Sequence, residues 1–191
     1  PDHIGDLIAL IHALKATPGF IREAPLSLFG PPGFREFYEQ RIASVATPPR
    51  HFEIRVREAG ERFEFCDLRI QTTPTVHSDQ LHSIAYRFEQ EKTIVFSGDA
   101  DYDGRLITLA SGADILVLDC SFPDQLKWDG HLCASECGRI AAQANVKQLI
   151  LSHLYPVPED QDLRLQQARS SFTGEVHQAA DFMVLEPSPQ S

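Results

Sequence analysis

The side chains able to do chemistry stand at the ends of apolar runs. TIVFSGDAD carries Asp99, LILSHLYP carries His153, RIQTTPTVH ends on His77, DILVLDCSF contains Asp119 and WDGHL contains His131. At the start, PDHIGDL sets Asp2 beside His3 just before an apolar helix. A helix start needs one capping residue, so the second group is free for another task. Neutral imidazole and carboxylate together are natural ligands of zinc, manganese or iron. They are also the usual carriers of protons in catalysis. A single strand-end histidine is more often a hydrogen-bonded structural residue. Taken alone, Asp2 reads more simply as a helix cap, with His3 in solvent. The repetition of His and Asp at one kind of position points to a shared site.

The elements that must hold these residues follow from periodicity. Leu7, Ile8, Leu10, Ile11 and Leu14 recur at helical spacing from about Asp6 to Lys15, and TPG stops the run. APLSLFGPPG reads as a short buried strand and a tight turn. GPPG could cradle an anion with its backbone amides, although a plain turn is the simpler reading. FREFYEQRIASVA returns to helix. HFEIRVREAGERFEFCDLRIQTTPTV alternates apolar and polar residues, with EAGER as an expected hairpin turn. HSIAYRFEQEKTIVFSGDAD predicts two further strands. GRLITLASG predicts a short helix, ADILVLDCSF a buried strand, SECGRIAAQAN a helix and VKQLILSHL another buried strand. PEDQDLRLQQARSSF predicts the last helix and DFMVLEP the last strand. Strands first, then strands alternating with helices, favour a layered α/β (α+β) sandwich. Strand ends in such folds are where sites are built. No repeat or linker interrupts residues 1–191, so one domain is expected.

Composition narrows the partners. A net charge of −10 argues against a nucleic-acid binder, which usually presents a basic face. Cys66, Cys120, Cys133 and Cys137 form no C-x-x-C pair and read as small buried hydrophobes in a reducing, cytoplasmic setting. No apolar run approaches the ~20 residues of a membrane-spanning helix. The sequence lacks an initiator Met and opens as if inside a motif, so further chain upstream is expected.

In their order and spacing, DHIGDL, LFGPPG, TVHS, IVFSGDAD, ADILVLDCSF, GHL and VKQLILSHLYP resemble the metallo-β-lactamase superfamily, and most of all its ribonuclease Z-like metal-dependent hydrolases. DHIGDL resembles the second half of that superfamily's H-x-H-x-D-H signature; the H-x-H would precede Pro1, leaving the domain N-terminally incomplete. The resemblance implies a four-layer αββα sandwich and two divalent metal ions, zinc first, with manganese or iron as alternatives. It implies His77 as a ligand of the first ion, Asp2, His3 and His153 as ligands of the second, and Asp99 as the bridge. Asp2 could also orient the attacking water, a metal-bridging hydroxide. His131 would protonate the leaving group, supported by Asp119, where the branch often has Glu. A shorter acid reaches less far, and Asp119 could instead cap a loop.

The implied function is hydrolysis of a small-molecule phosphodiester or other ester. Ribonuclease Z-type tRNA 3′-processing is the alternative, disfavoured because only SDQLHSIAYRFEQEKTIVFSG separates His77 from Asp99, where that branch inserts a long tRNA-gripping arm. A non-catalytic, truncated fragment is a third possibility. No membrane partner is expected, and a homodimer is implied by resemblance.

Overall fold

The computed structural model describes residues 3–157 and 161–185. Its contacts divide the chain into two compact units, Pro1–Ala59 and Gly60–Ser191.

In the first unit, helix α1 (Gly5–Ala16) precedes strand β1 (Leu26–Gly30). A short helix α2 (Phe34–Phe37) widens into a π-helical turn over Tyr38–Ile42, and strand β2 (Ile54–Glu58) follows. Ile11 of α1 packs with Tyr38, Ile42 and Ala46, and Leu26, Leu28, Ile54 and Val56 close this small core. The alternation seen in HFEIRVRE is therefore real, but its partner is not the one expected. β2 pairs in parallel with β1, from Leu26 opposite Ile54 to Gly30 opposite Glu58. EAGER is thus no hairpin turn: it ends one sheet, and β3 (Arg62–Phe65) begins another. The physical reason is the shared core, since Ile54 and Val56 complete the apolar face that β1 presents. The GPPG stretch is a turn, and its Gly33 amide donates to Glu58 Oε1 at 2.8 Å, so a protein carboxylate already occupies that anion-binding group.

The second unit is built on a seven-stranded sheet in sequence order: β3, β4 (Leu68–Pro74), β5 (Ile84–Glu89), β6 (Thr93–Phe96), β7 (Ile115–Asp119), β8 (Gln148–Ser152) and β9 (Glu175–Gln178). β3 to β6 pair antiparallel and β6 to β9 parallel. Helices α3 (Gly104–Ala110), α4 (Ala134–Gln143) and α5 (Gln161–Arg169) make the crossovers. The real hairpin turn joins β3 to β4 through Cys66 and Asp67, with Phe65 opposite Leu68. Such tight turns need positive φ, and Cys66 adopts φ 52°. Without Gly or Asn there, the sequence carried no turn signal.

Parallel strands covered on both faces read as continuous apolar runs. β7 and β8 show this: Leu116, Leu118, Leu149 and Leu151 are fully buried. Each contributes about 1.5–3 kcal/mol by leaving water. α4 turns Ala134, Cys137, Gly138, Ile140 and Ala141 inward, the spacing of one helical face. The last strand is Glu175–Gln178, not DFMVLEP. Val176 is buried beside β8, whereas residues 181–185 form no strand and Val184 is 82% exposed. Glu186 and Pro187 lie outside the described residues. No described helix is long and apolar enough to cross a membrane.

Asp114, at the entry to β7, accepts from the Thr93 amide at 2.8 Å and from Lys147 Nζ at 2.7 Å. Burial opposes its charge, but Lys147 and the amide outweigh burial and hold the carboxyl below its usual range. A depressed carboxyl stabilises the fold above its unfolded value of about 3.9 and loses that contribution as pH falls through the folded value. Asp114→Asn is therefore expected to be less stable than the parent at pH 7. The gap should narrow as pH falls below ~4. Urea unfolding across that range checks this.

Candidate metal centre

The sheet's topology brings the ionisable residues to one edge. β4 runs in the same direction as the parallel strands β6, β7 and β8, because two antiparallel pairings separate it from β6. His77 follows the carboxyl end of β4 and Asp99 that of β6. Asp119 ends β7, and His153 directly follows β8. His131 comes from the loop before α4.

Two of these residues leave their strands through left-handed backbone. Gly98 has φ 59° and turns the chain to present Asp99. His153 itself has φ 56°, a left-handed conformation that is uncommon outside Gly and that His enters more readily than most side chains. Behind these bends the loops are tied together. Thr75 Oγ1 donates to the Asp99 carbonyl at 3.0 Å, and the Asp101 amide donates to the Val76 carbonyl at 2.6 Å.

Asp99 lies between two imidazoles. His77 Nε2 is 3.5 Å from Asp99 Oδ2, and His153 Nε2 is 3.3 Å from Asp99 Oδ1. Each ring is held from behind. His77 Nδ1 donates to the Gly130 carbonyl at 2.9 Å. His153 Nδ1 donates to Ser121 Oγ at 3.0 Å, while that hydroxyl donates to Asp119 Oδ1 at 2.7 Å. A neutral ring with its proton on Nδ1 would turn its Nε2 lone pair toward the Asp99 carboxylate. Lone pairs of nitrogen and oxygen facing one another call for a cation between them. A ligating histidine backed by a carbonyl or a hydroxyl–carboxylate relay is the usual arrangement around bound metal.

Asp119 differs from Asp99. It is fully buried, and four donors fill its oxygens. Oδ1 accepts from the Ser121 amide and hydroxyl, and Oδ2 from the Ala100 amide at 3.2 Å and His131 Nδ1 at 2.7 Å. Ligand atoms of Asp99, Asp119, His131 and His153 lie within 4.8 Å of one another. The Asp side chain, shorter than Glu, still reaches His131, and the same carboxylate ties down the Ala100 and Ser121 amides. The rings of His131 and His153 lie nearly parallel, 5.4 Å between centroids. His131 Nε2 is left to face outward from its Asp119 partner.

The N-terminal residues stand apart from this description. Asp2 lies outside the described residues. His3 is exposed in the turn before α1, in the first unit.

Sequence reasoning missed the residues behind the site. Ser121, Asp101 and Gly130 stand inside quoted stretches without a role of their own there, and Lys127 lies in none, yet Asp101 accepts from the Gly130 amide at 2.8 Å and from Lys127 Nζ at 2.5 Å. Burial opposes the Asp101 charge, but Lys127 and the amides of Gly130 and Tyr102 outweigh it and lower the carboxyl's pKa. Gly130 has φ 89°, and a Cβ there would lie 2.5 Å from the His77 carbonyl oxygen. Gly130→Ala is expected to lower stability by about 1–3 kcal/mol through this strain, and to loosen His77. Denaturant unfolding gives the first effect and metal titration the second.

A family model described as a β-lactamase superfamily domain matches residues 1–154. The chain belongs to that superfamily. An uncharacterised protein of Mycobacterium leprae is 31% identical over 129 residues, covering 66% of this chain and 45% of that protein. A ribonuclease Z of Methanothermobacter thermautotrophicus is 27% identical, covering 88% of this chain and 72% of its own length. A putative ribonuclease Z of Mycobacterium tuberculosis is 26% identical over 99% of this chain and 96% of its own length. Among solved structures, the metallo-β-lactamase fold protein YhfI of Bacillus subtilis superposes with a TM-score of 0.75 at 25% identity, covering 93% of this chain and 70% of that one. The fold expected from the motifs is therefore the fold of this superfamily member, and superfamily membership implies divalent metal ions at the cluster.

Proposed function

We propose that the protein is a binuclear metal-dependent hydrolase acting on a phosphodiester or other ester of a small molecule. One observation carries this reading: the Asp99 carboxylate offers one oxygen to each of two imidazoles whose tautomers are fixed from behind. Asp99 would bridge the ions, with His77 serving one and His153 the other. Asp2 and His3 are proposed to complete the second set. Zinc suits these ligands, as manganese and iron do. Bound there, the ions would supply Lewis acidity, neutralising charge at the attacked centre and making water acidic enough to attack near neutral pH.

The chain's own groups perform the remaining tasks. Asp119 holds His131 by its Nδ1, so an imidazolium there would present its second proton on the outward Nε2. That proton can pass to a departing alkoxide, and a leaving group protonated as it departs costs far less than a bare anion. The ring stacked beside His131 is His153, so the donor stands next to the proposed ligands. One domain, a cytoplasmic location and a homodimer complete the proposal.

A second reading is tRNA 3′-processing. The ribonuclease Z relatives favour it, and the acidic charge together with the short β5–β6 hairpin between His77 and Asp99 opposes it. Elemental analysis and turnover on the full-length protein decide among the readings. Two transition-metal ions per chain and hydrolysis of bis-p-nitrophenyl phosphate support the first. Salt-dependent cleavage of a precursor tRNA in preference to the small ester supports the second. Absence of metal and of both activities overturns both.

A further inference from the structure

The loop that delivers His131 has no regular structure between Lys127 and Leu132, and no apolar side chain before Leu132 is buried in it. Its position depends on polar contacts, and these converge on one ammonium. Lys127 Nζ donates to Asp101 Oδ1 at 2.5 Å, to the His131 carbonyl at 2.5 Å and to Glu136 Oε2 at 2.7 Å. An ammonium has three protons, and three acceptors use them. Each acceptor belongs to a different part of the site. Asp101 sits two residues beyond Asp99. Glu136 lies in the first turn of α4, where the same oxygen also accepts from the Cys133 amide at 3.0 Å. The third acceptor is the backbone of His131 itself.

The second oxygen of Asp101 extends the chain of contacts. It accepts from the Gly130 amide, and the Gly130 carbonyl accepts from His77 Nδ1. Lys127 thus reaches His77 through Asp101 and Gly130, and reaches His131 directly. Without the ammonium, Asp101 and Glu136 would face each other across the loop as like charges. The His131 carbonyl would lose its Lys127 donor, and that repulsion would work against the contact between Asp101 and the Gly130 amide.

We infer that Lys127 is a positioning residue which locks the 127–131 loop, and through it the tautomer of His77 and the placement of His131. The catalytic part of this inference rests on the hydrolase reading above; the tautomer part stands independently. Lys127 touches no reacting atom. It acts by holding the Gly130 carbonyl where only an Nδ1–H imidazole at position 77 can meet it.

Lys127→Met in the full-length protein tests this. The first readout is the imidazole nitrogen NMR spectrum of metal-free protein at about pH 8.5, above the usual histidine range. The parent should show His77 as the Nδ1–H tautomer, and K127M should show a mixture weighted toward Nε2–H, the form free histidine prefers. The second readout is metal titration, with affinity for the ion served by His77 expected to fall about 10–100-fold. The third is kinetics: kcat for an alkyl-leaving-group ester should fall while KM changes less than about threefold, with part of kcat regained in Lys127→Arg. A folded K127M with unchanged His77 signals and unchanged metal affinity overturns the inference. Should K127M fail to fold, the same spectrum read on Lys127→Gln decides. If the parent neither binds metal nor hydrolyses esters, the hydrolase reading falls, and the tautomer spectrum still tests Lys127.

Discussion

Asp99→Asn is expected to leave the full-length protein folded, with fewer than two metal ions per chain and hydrolysis of bis-p-nitrophenyl phosphate reduced by at least about 100-fold. Removing partners one step behind a metal ligand already costs about 10–100-fold, and Asp99 stands in front of those partners. An amide is neutral and offers one oxygen, so it cannot serve the His77 and His153 sides together. The fold should persist because the contact made by the Asp99 backbone, its carbonyl accepting from Thr75 Oγ1, survives the exchange. Metal analysis and circular dichroism on the same sample check both halves. An Asp99→Asn protein that keeps two ions would show that the carboxylate is no bridge.

The second large effect belongs to His131. His131→Ala should retain its metal, since Asp99, His77 and His153 keep their partners. Its kcat on a substrate with an alkoxide leaving group should fall by about 10²–10⁴, the usual worth of a positioned acid. On a p-nitrophenyl ester the loss should be less than about tenfold, because that leaving group needs little protonation. Asp119→Ala goes further. It strips acceptors from the Ala100 and Ser121 amides, the Ser121 hydroxyl and His131. Each buried donor left without a partner costs about 1–3 kcal/mol, so this variant loses stability as well as turnover. Comparing the two leaving groups separates proton delivery from general damage: equal losses on both would remove His131 from the acid's role.

Much of this was legible because the signal was repetitive. β7 and β8 are unbroken apolar runs, and such runs in an alternating β and α pattern specify parallel strands whose ends share an edge. Asp99, Asp119 and His153 follow from that rule alone, and His77 joins them because β4 shares the direction of β6. One strand pairing and one strand assignment failed for opposite reasons. β2 pairs with β1 across 23 intervening residues between Gly30 and Ile54, and no local pattern announces a parallel partner. DFMVLEP has the hydrophobicity of a strand, but β8 is already paired by Val176 and its neighbours. The network behind the proposed ligands was illegible for another reason. Ser121, Lys127 and Gly130 act through backbone carbonyls and amides as much as side chains, and their chemistry exists only once loops distant in sequence have met.

The hairpin turn at Cys66 has a practical consequence. Of the four cysteines, Cys66 alone is solvent-exposed, while Cys120, Cys133 and Cys137 are buried. Burial pushes the Cys133 thiol up to about 12 and raises Cys137 as well, so neither forms thiolate at neutral pH. A maleimide fluorophore added to native protein will therefore react at one place, a sheet-edge turn carried by β3 and β4. Colorimetric thiol counting should register one fast equivalent before denaturation and four after it, turning the buried sulfurs into a clock for global opening of the sheet.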